Sequence, residues 1–78
     1  MLIYKLHKTE GDLLFFNYYP EGKGSEGTVS INKNTGETAI IKPSEDDFGN
    51  RFAFKLVKRL KEFFEANDYK EEGIIAWY

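Results

Sequence analysis

Hydrophobic residues recur along this chain with two different periods, and the change falls near Pro43. Before it, four segments rich in β-branched and aromatic residues predict strands: LIYKLH (2–7), DLLFFNYY (12–19), GTVSINK (27–33) and ETAIIK (37–42). KTEGD (8–12) and KNTGE (33–37) join them in pairs, each placing Gly where a left-handed residue closes a tight turn, so two β-hairpins are expected. After Pro43, Phe52, Ala53, Leu56, Val57, Leu60, Phe63 and Phe64 form one apolar stripe of helical period. The helix should run from about Asn50, with Ser44 and the acids Glu45, Asp46 and Asp47 at its entry and Asn67 ending it in a left-handed conformation. The closing GIIAWY (73–78) reads as a fifth strand, preferably antiparallel to the first. The expected fold is α+β: a four-stranded antiparallel meander of two hairpins, one amphipathic C-terminal helix packed on one face, and a short fifth C-terminal strand.

The second strand departs from simple alternation. Leu13, Phe15 and Tyr19 share one side and Leu14, Phe16 and Tyr18 the other, so both sides are apolar. In TVSIN, by contrast, Val29 and Ile31 alternate with Thr28, Ser30 and Asn32. One helix covers one face of a sheet, so the other face calls for a cover of its own. Phe16, Tyr18 and Tyr19, with the off-stripe Phe54 and the C-terminal Trp77, are the expected interaction surface, for a protein partner or a second copy in a symmetric homodimer.

Composition narrows the classes that remain. Seventy-eight residues make a single domain, 1–78, and 41% hydrophobic with 31% charged residues is a globular balance. A net charge of −2 gives no global attraction to nucleic acid or an anionic membrane. With no cysteine, disulfides and thiolate metal sites are excluded, and a cytoplasmic location is expected. No apolar run reaches the length of a membrane span or of a signal peptide's apolar core, so a soluble protein is expected, with no membrane contact.

Two local features carry candidate chemistry. Gly22, Gly24 and Gly27 satisfy the spacing of a dinucleotide loop, and Lys23 adds a cation, but a strand follows where that site needs a helix. GKGSEGTV, with AIIK at 39–42, DFG at 47–49 and Glu62 as a partner for Lys42, resembles the short motifs of protein kinases. That resemblance implies a phosphate cover and a metal-binding Asp47. It lacks the catalytic-loop motif, and Asp47 follows Lys42 too closely to belong to a second lobe. The loop therefore reads as a flexible connector, or as an anion or nucleotide site. The second feature is a basic strip on the helix, Arg51, Lys55, Lys58 and Arg59, which offers a nucleic-acid contact. His7, the single histidine, has no serine motif to serve, so no catalytic set, cofactor or metal site is expected. A non-catalytic protein-interaction module is the leading reading, with nucleic-acid association and loop ligand binding as alternatives.

Overall fold

In the computed structural model, residues 1–22 and 24–76 are described; Lys23, Trp77 and Tyr78 lie outside the described residues. Strands β1 (Leu2–Glu10), β2 (Leu13–Pro20), β3 (Gly27–Asn32) and β4 (Thr38–Lys42) form the meander. A 3-10 turn (Phe48–Asn50) leads into helix α1 (Arg51–Ala66), and β5 (Glu72–Ile75) returns to the sheet. The sheet is antiparallel in the order β4-β3-β2-β1-β5. The fifth strand thus lies antiparallel to β1, with Leu2 opposite Ile75 and Ile3 opposite Ile74, as the chain direction after a single helix requires.

The first hairpin is tighter than the turn chemistry suggested. Glu10 pairs directly with Leu13 across Gly11 and Asp12, and β1 absorbs the difference upstream: Leu6 faces Phe16 while Lys8 faces Phe15, leaving exposed His7 as the extra residue of a bulge. In the second hairpin the Asn32 carboxamide accepts from the amides of Asn34 and Thr35, at 2.8 and 3.2 Å, and shapes the turn from within.

Register decides which side of each strand meets the helix. Tyr4, Tyr18 and Gly27 lie in one cross-strand row and Leu6, Phe16, Val29 and Ile40 in the next, all on the side of α1. Leu2, Tyr4, Phe16, Tyr18, Val29 and Ile31 are essentially inaccessible to water there, packed with Ala53, Leu56, Leu60 and Phe63 from the helix. Tyr4 meets Phe16 edge-on at 6.0 Å and Phe63 at 6.2 Å, the offset geometry aromatic quadrupoles favour. Two residues expected on an interaction surface, Phe16 and Tyr18, are therefore core residues. Alternation separates the two sides of a strand but does not say which side receives the helix.

The entry to α1 also differs from expectation. Ser44 does not cap the helix: its hydroxyl accepts from the Asp46 amide and donates to the Ser25 carbonyl, tying the helix approach to the glycine loop. Asp47 caps instead, across the turn. Its carboxylate accepts from the amides of Phe52 and Ala53 at 2.9 and 2.8 Å. Gly49 and Asn50, both at positive φ, swing the chain between that carboxylate and the first helical turn. The far end matches the reading of the sequence: Asn67 is left-handed and donates to the Phe63 and Phe64 carbonyls.

Candidate interaction surface

The face of the sheet turned away from α1 is built in rows, and the rows alternate in character. At one end Ile74, Ile3 and Tyr19 stand side by side across β5, β1 and β2. Ile74 is 60% exposed and Met1, beside Ile3 at the glycine loop, is 44% exposed. The next row is polar: Glu72, Lys5, Asn17, Thr28 and Lys42, with the Thr28 hydroxyl donating to Asn17 at 2.8 Å. Beyond it lie Phe15, Ser30 and Ala39, then Leu13, and the Lys8 ammonium sits 5.1 Å from the Phe15 ring centre.

The second side of the sheet is thus not uniformly apolar. It carries two apolar zones divided by a polar row, and among the described residues no element lies over it. Of the residues expected on an interaction surface, Tyr19 is on this face, half-buried, with its hydroxyl donating to Glu26 at 2.9 Å. Phe54 is 60% exposed on the outside of α1, remote from the sheet. Trp77 lies outside the described residues. Ile3, Ile74 and Phe48, the last 84% exposed at the helix entry, were not singled out by sequence reasoning. For Ile74 a signal existed: two adjacent isoleucines in a closing strand must face opposite ways, and only one meets the core.

The basic strip divides in space. Lys55, Lys58 and Arg59 line a recess between the later turns of α1 and the edge of β5, together with Glu62, Ile75 and Ala76. Arg51 lies a turn earlier, in a hollow shared with Glu21, Phe52 and Lys55. Arg59 pairs with Glu62 at 3.3 Å, and among the described residues the recess is lined by three cations and one acid.

The glycine loop closes on a carboxylate belonging to the chain itself. The Ser25 amide donates to Asp46 at 2.5 Å, and a Cβ on Gly24 would come within 2.6 Å of that carboxylate. Gly22 and Gly24 sit at positive φ, whereas Gly27 belongs to β3, and a Cβ there would meet the Tyr18 ring. Lys23 lies outside the described residues. The kinase-like motifs do not assemble: Asp47 is a buried helix cap, and Lys42 sits at the register of Thr28, on the side of the sheet opposite α1 and Glu62.

Two core tyrosines have displaced ionisation. Burial pushes the Tyr4 and Tyr18 hydroxyls above their ordinary value of 10.0; for Tyr4 the nearby Arg59 opposes this, and for Tyr18 the Ser44 amide opposes it while Asp47 adds to it. A raised phenol pKa means the fold prefers the neutral form. The stability it contributes is whole below about pH 10, the value of an unfolded tyrosine, and is lost as pH rises through the higher folded values. Urea midpoints should therefore fall above about pH 10, less steeply in Tyr18→Phe; a variant as alkali-sensitive as wild type would remove Tyr18 from this account.

Among the described residues no group of three or more His, Asp or Glu side chains is placed to hold a metal ion, and no helix is long and apolar enough to cross a membrane. Set against known proteins, the chain matches no family model, no curated protein and no solved structure.

Proposed function

We propose that the protein is a non-catalytic interaction module that meets another protein through the β1/β5 end of its open sheet face. The observation that carries this reading is the row of Ile74, Ile3 and Tyr19, which runs to the sheet edge and leaves Ile74 60% exposed. A small domain has little reason to direct two isoleucines to the same solvent-facing row unless something dries them, since each side chain buried on contact contributes about 1.5–3 kcal/mol.

A photoreactive amino acid at position 74, in cells, should give a discrete heterologous adduct. The same group at position 61, exposed on α1, should not. Equal labelling from both positions, or none from 74, contradicts the proposal.

A further inference from the structure

The edge of β5 is built differently from the other edge of the sheet. β4 is interrupted: Thr28 pairs with Lys42 and Val29 with Ile40, which leaves Ile41 as a bulge, and Pro43 follows at once. Bulges and prolines are the usual means of spoiling an edge for further pairing. β5 carries neither. Its four residues pair with β1 in unbroken register, and it is the last strand of the sheet, so its outer backbone groups have no strand partner among the described residues.

The surroundings of that edge are chemically two-sided. On the α1 side, beside Ile75, the recess holds Lys55, Lys58 and Arg59 against Glu62. On the open side, Ile74 stands next to Ile3. A strand added to β5 would place alternate side chains on these two sides: one set beneath the cations, the other against the isoleucines.

We infer that β5 is the acceptor edge for an extended segment of a partner protein, one that alternates acidic and apolar residues and adds as a sixth strand with its acids facing Lys55, Lys58 and Arg59. This rests on the interaction-module reading and names its partner's chemistry. Charge selects this occupant over a second copy. A two-fold β5-to-β5 contact sets one recess against its own image, three cations and one acid against the same set, and like-charge juxtaposition opposes such a pair. An acidic segment meets the same cations with opposite sign. Backbone pairing supplies attachment, the recess supplies selectivity for acids, and Ile74 favours apolar residues at the alternate positions.

The test is an NMR titration of the full chain with capped octapeptides. A peptide alternating Glu and Val should shift the amides of Glu72–Ile75 and of Lys55 and Lys58, while one alternating Lys and Val should not. Two N-methylated versions, blocked on the Glu amides or on the Val amides, separate backbone pairing from simple charge attraction: only one row of amides faces β5, so one version should lose at least about tenfold in affinity and the other retain it. The double variant Lys55→Glu/Lys58→Glu should reverse the preference between the Glu and Lys peptides. Equal behaviour of the two methylated peptides, shifts confined to β4, indifference to peptide charge, or a single-stranded oligonucleotide that displaces the peptide at equal concentration each overturn strand addition at β5. No peptide binding alongside persistent cross-links from position 74 also overturns it, and leaves the open face as the contact; loss of both removes the interaction module itself.

Discussion

Replacing Gly27 with alanine should cost about 3 kcal/mol or more, enough to leave a domain of this size largely unfolded under mild denaturant. A Cβ built on Gly27 comes within 2.3 Å of two carbons of the Tyr18 ring, far inside van der Waals contact. The backbone of Gly27 is not at positive φ, so the penalty is one of space rather than conformation. The ring has little freedom to yield. It is fully buried, and its hydroxyl accepts from the Ser44 amide at 3.1 Å and donates to Asp47 at 3.4 Å, so turning it aside breaks the join between sheet and helix entry. Combining Gly27→Ala with Tyr18→Leu should cost clearly less than the two single changes summed, because the smaller side chain removes the clash. A Gly27→Ala protein within about 0.5 kcal/mol of wild type by urea denaturation would show that the ring is not held as described.

Asp47→Ala is the second large effect, again about 3 kcal/mol. Asp47 is buried, and three donors converge on it: the amides of Phe52 and Ala53 and the Tyr18 hydroxyl. Alanine strands all three in a place water reaches poorly, and removes the negative charge from the positive end of α1. Asp47→Asn should fall between alanine and wild type, since one carbonyl oxygen still accepts. Its neighbour makes the natural control. Asp46 is exposed and its carboxylate accepts from the Ser25 amide, so Asp46→Ala should cost under about 1 kcal/mol and act chiefly by loosening the glycine loop, seen as faster amide exchange at Ser25. Equal losses at 46 and 47 would contradict the division of labour between them.

These residues show how far the sequence could be read. Strand and helix periods were plain, because they follow from alternation and amphipathicity, whereas chain direction gave only a preference for where β5 would pair. The sides of β2 were legible only as a pair. Leu14, Phe16 and Tyr18 face α1 because their register partners Ile31, Val29 and Gly27 form its seat, and pairing across strands is not written in any one strand. The identity of the cap was hidden for a related reason. Ser44 and three acids stand together before a helix expected from about Asn50, and only the turn at Gly49 and Asn50 shows that Asp47 is the one that reaches the first amides. The glycine-rich stretch misled because its three glycines answer to different constraints: two accept positive φ in a loop closed by Asp46, and the third makes room for a ring.

The candidate surface was the least legible part. The aromatic run LLFFNYY drew attention to β2, yet its most apolar members are sealed in the core and its outward members flank the hydrogen-bonded pair of Asn17 and Thr28. At the β5 edge, Ile74 and the recess of Lys55, Lys58 and Arg59 lie instead on opposite sides of one short strand. The basic helix face drew notice in sequence and Ile74 did not; only their placement around β5 gives them a shared meaning.

The central claim is that α1 seals one side of the sheet and leaves the β1/β5 end of the other side for a partner. Carbene footprinting of the isolated protein at low concentration, repeated with the cross-linked partner added, examines both halves of it. The account predicts strong labelling of Ile74 and Ile3 in isolation, negligible labelling of Phe16 and Tyr18, and selective protection of Ile74 and Ile3 by the partner while Phe48 and Phe54 stay reactive. Isoleucines as unreactive as Tyr18 in the isolated chain, or protection that falls on Phe48 and Phe54 instead, would contradict it.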